Sequence, residues 1–364
     1  MIREYQNNLA VDTHYSIDHL PGRTIDLDGQ DYLFFSGTSY LGISQDPTFR
    51  SLLAEGMARY GTVFGSSRNG NLQLRIYEEA ESRLAAFARA EAALTLSSGM
   101  LAGQAVVNWL KGQGFEFIYA PNAHPAIWQE PTTRLPTGSF DDWTRQLPEL
   151  VAAAATPHIV IALNALDALF SVAYSFDWVN QLPGNQAITL LVDDSHGLGV
   201  SGPEGSGIGS QIPKRPNVRL IVTASLAKAM GLPGGVIFSD PQTLSAIRRT
   251  AFFGACSPTP PAYLYAFCQA QGSYHAAFNQ LLENIRLFEK RVGTSDLFQH
   301  IPDYPVFYTD QDRLYSYLLA NRIFVYSFAY PTPTDKPNTR IVINALHRPE
   351  DIERLGDYLY GKAR

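Results

Sequence analysis

The string VTASLAKAMGLPGG sets one lysine, Lys228, between an apolar strand candidate and a glycine-bearing loop. A lysine amine forms a Schiff base with an aldehyde. To react near neutrality it must be desolvated or lie near other cations, because its usual pKa is about 10.4. The Ala, Leu and Met side chains around Lys228 suit that demand, and Ser225, three residues earlier, offers a hydroxyl to a phosphate. Read alone, the segment is more readily a surface lysine that caps a helix. A second constellation, LLVDDSHGLG, sets Asp193 and Asp194 at the C-terminal end of an apolar strand, where ligands collect in open parallel sheets. A buried carboxylate there needs a partner. A protonated pyridine nitrogen would serve: the aspartate holds positive charge on the ring, and the ring accepts electrons. His196, three residues past Asp193, could bond a ring oxygen or orient the ring. The bland alternative is a loop-start aspartate cluster with a satisfied histidine. Asp193, Asp194 and His196 alone are too few neighbours in sequence to make a metal the leading reading, and none is expected.

Three further positions fit the same chemistry. The turn Ser97–Leu101 links a strand candidate to a helix, so the backbone N–H groups around Ser98, Gly99 and Met100 make a phosphate seat at a helix N-terminus. Short turns of this kind also occur with no ligand. His124, in PNAHPAI, offers a flat ring to stack on a flat cofactor, or is a solvated loop histidine. Arg340, at the head of RIVINAL, follows the polar segment TDKPNT and could grip a carboxylate in two places, or form an ion pair at a domain edge. The order of these features along the chain carries more weight than any one of them.

The elements that must position these residues alternate. Strands are expected at Ala92–Leu96, Phe115–Tyr119, Ile159–Leu163, Ile188–Val192, Leu220–Thr223 and Gly235–Phe238, several of them unbroken apolar runs. Such runs mark strands covered on both faces, and helical stretches between them mark a parallel-rich α/β sheet. Ile76, Ala80, Leu84 and Phe87 line one face of a helix that follows the Gly/Ser-rich segment 61–71. From about residue 242 the pattern changes to a long helical region over 260–292, broken near Gly272, and then to strands at 306–308, 323–326 and 340–346 with a last helix at 349–360. The division predicted is an N-terminal segment (1–45), a large domain (46–260) and a small C-terminal domain (261–364).

Composition narrows the function classes. A chain of 364 residues predicts roughly two domains. Charged residues make up 17% against the roughly 25% usual in soluble domains, which hints at a large core and a buried face on a partner. The net charge of −6 and the lack of a basic stripe exclude a nucleic-acid reader. No run of eighteen apolar residues is present, so no membrane span is expected, and the polar first twenty residues do not read as a signal peptide. Two cysteines, Cys256 and Cys268, suffice for neither a disulfide framework nor a four-ligand zinc site, and fit a reducing cytoplasm.

Over residues 30–360 the sequence resembles the fold-type-I pyridoxal-phosphate (PLP) enzymes, and within them the α-oxoamine synthase branch, nearest the 8-amino-7-oxononanoate synthases. VDDSHGLGVSGPEGSGI is close to that branch's strand-end signature; SLAKAMGLPGG matches its lysine segment, YLFFSGTSYLGIS its start and HRPEDIERL its ending. The resemblance implies a large domain with a mostly parallel seven-stranded sheet in an α/β/α sandwich, plus a smaller α+β C-terminal domain. It implies that Lys228 is the Schiff-base lysine and proton shuttle, Asp193 the partner of the pyridine nitrogen, His196 the ligand near the 3′-oxygen and His124 the stacking ring. Ser98, Gly99, Met100 and Ser225 would hold the phosphate, with Ser257 reaching it from a second subunit. Arg340 would hold the amino-acid carboxylate, Thr38 stands where the branch carries Asn, and Asp167 falls loosely where it carries a ring-edge serine. Tyr77 sits near the place of a family histidine. The implied activity is condensation of an amino acid with an acyl-CoA and loss of carbon dioxide, in a homodimer with a shared active site. An aminotransferase, or a PLP-binding protein without turnover, are the alternatives.

Overall fold

The computed structural model describes residues 14–293, 295–311, 313–329 and 337–361; the first thirteen residues and the first half of the polar segment TDKPNT before Arg340 lie outside them. The chain runs through β1 (Thr24–Leu27), β2 (Gln30–Phe34), α1 (Pro47–Tyr60), α2 (Arg75–Phe87), β3 (Ala92–Leu96), α3 (Gly99–Lys111), β4 (Glu116–Tyr119), α4 (Phe140–Ala153) and β5 (His158–Asn164). A short hairpin follows, β6 (Leu166–Asp167) and β7 (Val172–Ala173), then β8 (Ala187–Asp193), β9 (Val218–Ser225), β10 (Gly235–Ser239), α5 (Pro241–Arg248), α6 (Ala251–Ala255), α7 (Pro261–Gln269) and α8 (Gln271–Val292). The remainder holds β11 (Gln299–His300), β12 (Val306–Thr309), α9 (Arg313–Ala320), β13 (Ile323–Phe324), β14 (Tyr326–Ala329), β15 (Pro337–Val342) and α10 (Pro349–Tyr360). The long helical region breaks at Ala270, two residues before Gly272, which lies inside α8. None of the described helices is long and apolar enough to cross a membrane.

Two compact units result. The larger comprises Asp46–Leu166 and Ala173–Ser273; the smaller comprises Met1–Gln45, Asp167–Val172 and Tyr274–Arg364. The larger unit is built on one sheet in the order β3-β10-β9-β8-β5-β4. Strands β4, β5, β8 and β9 pair in parallel, and β10 runs antiparallel to both β9 and β3. Among the described residues the sheet has six strands, not the seven the resemblance implies: between β4 and α4 the chain forms turns and one short 3-10 helix and no strand. β8 is buried at every position after its first, and β5 nearly so, as strands with both faces covered must be. On one face Ala102, Ala105, Val106 and Leu110 of α3 join Leu94, Ile221 and Ile237 of the sheet in one core.

The described residues of the smaller unit form two sheets, β1-β2-β13 and β11-β12-β15-β14. Leu33 and Phe34 of β2 pair in parallel with Ile323 and Phe324 of β13, so segments far apart in sequence share a sheet. The packed faces of α8 (Leu281, Ile285, Phe288) and α10 (Ile352, Leu355) are buried.

Candidate active site

The parallel strands of the larger unit end together. Register pairs Asp193, the last residue of β8, with Asn164, the last of β5, and with Thr223 near the end of β9. Gly235, the first residue of β10, pairs with Ser225 on one side and Leu96 on the other. Ser98, Ser225, Asp193 and the loop holding His124 are therefore brought to the carboxyl ends of one set of strands, the usual place of ligands in open α/β sheets.

Ser98 caps α3: its backbone is extended and its Oγ accepts the N–H of Leu101 at 3.1 Å. The N–H groups of the first turn of a helix lack partners within the helix, and the helix dipole favours an anion there. A Cβ added to Gly99 would stand 2.7 Å from Ser225 Cβ, and one added to Gly235 would stand 2.2 Å from the Ser98 carbonyl oxygen. Glycine at both places lets the β3–α3 turn, Ser225 and β10 close on one another. Ser225 is held in turn, its N–H donating to Ser195 Oγ at 2.9 Å. Lys228 is half-buried among the fully buried Leu226, Ala229 and Met230. Its loop is pinned by Leu226 N–H to the Gly234 carbonyl (2.9 Å) and Leu232 N–H to the Leu226 carbonyl (3.1 Å).

Asp193 is buried, and its Oδ1 accepts the N–H of Ser195 at 2.9 Å. Its Oδ2 faces His124 Nδ1 at 3.6 Å. That nitrogen already accepts the N–H of Ala126 at 3.1 Å. Burial lowers the pKa of His124, the Lys228 charge lowers it further, and Asp193 works the other way. The ring is neutral at neutral pH, with its proton on Nε2, so the 3.6 Å approach is not an ion pair. Among the described residues no donor meets Oδ2. A buried carboxylate oxygen in this position fits a protonated ring nitrogen, and the half-exposed face of His124 fits a flat ring beside it. Asp194 goes elsewhere: its carboxyl accepts the Ile208 N–H at 2.7 Å and packs against Gly197 and Gly207. Burial, with Asp193 adding and the Ile208 bond opposing, raises its pKa to about 7.

One site residue was not read from the sequence. Asn164 Oδ1 accepts the His124 N–H at 2.9 Å and its Nδ2 donates to the Asn122 carbonyl at 2.7 Å. It clamps the histidine loop beside Asp193. Its signal was a polar residue closing an apolar strand, the same signal that marks Asp193. His196 is half-buried in the turn after β8, Met100 is exposed, and Ser257 is exposed just after α6. Among the described residues no group of three or more His, Cys, Asp or Glu could hold a metal.

The smaller unit holds the other two predicted positions. Arg340 is the fourth residue of β15, not the head of a strand, and its Nη1 donates to the Ala168 carbonyl at 2.9 Å. The segment after β2 runs alongside: Val342 N–H donates to the Phe35 carbonyl and Ala345 N–H to the Tyr40 carbonyl, both at 2.9 Å. Half-buried Thr38 lies between those two anchors. The Asp167 carboxylate accepts the N–H groups of Leu169 and Phe170, closing the β6–β7 hairpin.

A family model described as aminotransferase class I and II matches residues 38–359. The chain is 28% identical over 360 residues to the 8-amino-7-oxononanoate synthase of Nitrosomonas europaea, covering 91% of this chain and 90% of that one. It is 24% identical over 373 residues to the 8-amino-7-oxononanoate synthase of Petrotoga mobilis, covering 97% and 93%. In fold it is similar to serine palmitoyltransferase from S. paucimobilis with bound PLP and myriocin, at a TM-score of 0.79 and 18% identity over 95% of this chain and 91% of that one. It is also similar to 8-amino-7-oxononanoate synthase from Francisella tularensis, at a TM-score of 0.66 and 20% identity over 90% and 96%.

Proposed function

The chain belongs to the aminotransferase class I and II family, and on that premise we propose that it is a PLP-dependent α-oxoamine synthase, joining an amino acid to an acyl-CoA with release of CoA and carbon dioxide. One observation carries the reading: a glycine-opened helix N-terminus, a lysine loop, a buried carboxylate lacking a donor on one oxygen and a neutral histidine ring converge at one set of strand ends. The similarity to 8-amino-7-oxononanoate synthases along nearly the full chain supports the acyl-transfer branch.

When bound, PLP supplies an aldehyde that captures amines and a pyridine ring that accepts electrons from a bond broken at the amino acid's Cα. The chain's own residues would divide the remaining work. Backbone N–H groups at Ser98–Met100 and the Ser225 hydroxyl would hold the phosphate, with Ser257 of a second subunit completing the grip. Asp193 Oδ2 would keep the ring nitrogen protonated. His196 would bond the 3′-oxygen. His124 would cover the ring face and, with its proton on Nε2, could donate it to a developing oxyanion or carbanion. Lys228 would bind the aldehyde and, once displaced by the amino acid, carry the Cα proton. Arg340 would hold the substrate carboxylate, aided by Thr38. The working form proposed is a cytoplasmic homodimer with a shared active site.

The test is direct. Purified protein supplied with PLP should absorb in the visible, and the band should shift with the right amino acid. CoA release should then follow with acyl thioesters of one length range, the pair L-alanine and pimeloyl thioester, the pair of biotin synthesis, being the first to try. Absence of both the band and CoA release would remove the proposal. Since the matching family model also describes aminotransferases, a keto acid is the control: amino-group transfer to it without CoA release would mean transamination instead.

A further inference from the structure

Behind the phosphate seat lies a buried network that none of the roles above uses. Thr259 is completely buried, and its Oγ1 donates to the carbonyl of Leu96, the last residue of β3, at 2.6 Å. Its side chain also abuts Gly234: a Cβ added there would stand 3.0 Å from Thr259 Oγ1 and 3.3 Å from its methyl. Gly234 precedes the Gly235 that packs on Ser98, and its carbonyl accepts the Leu226 N–H in the Lys228 loop. Thr259 is thus a wedge between the strand that delivers Ser98–Gly99 and the loop that follows Ser225.

Tyr77 aims the wedge. Its ring is buried, and its hydroxyl donates to the Thr259 carbonyl at 2.9 Å. The ring rests under the Arg68 guanidinium, 4.4 Å from its centroid. Arg68 and Glu81 form a buried ion pair, and Glu81 Oε1 accepts both the N–H (2.7 Å) and the hydroxyl (2.8 Å) of Thr95, one residue before Leu96. Breaking such a pair is costly, so Tyr77 is held against a rigid support. The chain of contacts closes on Thr95 and Leu96 at the β3 terminus and packs on Gly234, two backbones that lead into the Ser98–Met100 turn and out of the Lys228 loop.

We infer that Tyr77 and Thr259 are positioning residues for the cofactor's phosphate, acting through the seat without touching the ligand. The inference rests on the PLP reading above. It predicts a selective defect, because a displaced seat weakens the phosphate grip and leaves the rest of the ring site alone.

The experiment titrates the cofactor-stripped protein with PLP and, separately, with pyridoxal, which lacks the phosphate. Thr259→Val keeps the shape and removes the hydroxyl; Tyr77→Phe removes the other hydroxyl. Each should raise the PLP Kd by roughly tenfold, the scale of one lost hydrogen bond at a tight site. Each should leave the pyridoxal Kd within about twofold of the unaltered protein on the same scale. Thr259→Ser, which retains the donor, should restore PLP binding. Equal loss for PLP and pyridoxal would mean general damage, and unchanged PLP affinity in both variants would remove the positioning role. If Thr259→Val does not fold, Tyr77→Phe decides. Failure of the unaltered protein to bind PLP would instead overturn the cofactor reading, and this inference with it.

Discussion

The Asp193–His124 approach looks like an ion pair by distance, and the local hydrogen bonds argue against it. His124 Nδ1 spends its lone pair on the Ala126 N–H, and burial, with Lys228 adding, keeps the ring neutral. Asp193 Oδ2 is therefore left for another donor, and a cationic ring nitrogen is the economical partner. Asp193→Asn keeps the size and could keep the contact at the Ser195 N–H, but deletes the charge. A hydrogen bond to a charged group contributes about 1.5–3 kcal/mol, so kcat/KM for CoA release should fall by roughly 10- to 100-fold. The absorbance of bound PLP should shift as the ring nitrogen loses its proton. A variant within threefold of the unaltered protein, with an unshifted band, would show that Asp193 does not do this work. Asn164 belongs at this scale too. Its identity was in plain view in the sequence, but its use depends on lying across from Asp193 in register, and register between strands thirty residues apart is not a local property of the chain.

At the scale of elements, the β3–α3 turn shows why glycine is required at one place. Gly99 opens α3, and the place a Cβ would take lies against Ser225. Gly99→Ala would press a methyl carbon to 2.7 Å from Ser225 Cβ. Overpacking of this kind costs about 1–3 kcal/mol. The expected outcome is a Tm lowered by several degrees together with at least a tenfold weaker PLP Kd, on the scale where tenfold is about 1.4 kcal/mol. A lowered Tm with normal PLP affinity would separate the turn's packing from the seat. The elements themselves were legible wherever burial was two-sided: β3 was read to the residue and β5, β8, β9 and β10 within a few residues, because continuous apolar runs leave no other reading in an α/β chain. Helix α4 went unread. Ser139 caps it, its Oγ accepting the Asp142 N–H, but Pro148 stands in its interior and masks the pattern. The count of seven strands came from resemblance, and the segment after β4, rich in Pro and Thr, forms turns instead.

At the scale of the whole chain, the smaller unit is assembled from segments far apart in sequence, and His347 is one of its fastenings. The ring is buried and stacked on Phe35 with centroids 4.0 Å apart. Nδ1 accepts the Asn344 N–H at 3.0 Å and Nε2 lies 2.9 Å from the Phe34 carbonyl, so one ring ties β2 to the segment after β15. From α8, Asn284 Nδ2 donates to the carbonyls of both Asn344 and His347. This pattern suits only the neutral ring with its proton on Nε2: a second proton on Nδ1 would face the Asn344 N–H, donor against donor. Burial, the leading cause, lowers the pKa to about 4. Since the unfolded value is about 6.5, the unfolded chain binds the proton first, and stability rises with pH between the two values. The contribution is fully present above about pH 6.5, is lost as pH falls toward about 4, and amounts to roughly 3 kcal/mol. All four tryptophans, Trp109, Trp128, Trp143 and Trp178, belong to the larger unit, so their emission does not report this event. Hydrogen exchange of the peptide spanning residues 341–348 does. Comparing His347→Gln with the unaltered protein at each pH cancels intrinsic exchange rates. The variant should be the less protected at pH 7, with the gap shrinking by about 3 kcal/mol by pH 4. A gap that stays constant across that range would mean His347 is protonated in neither state or in both, and that acid loosens the unit through other groups.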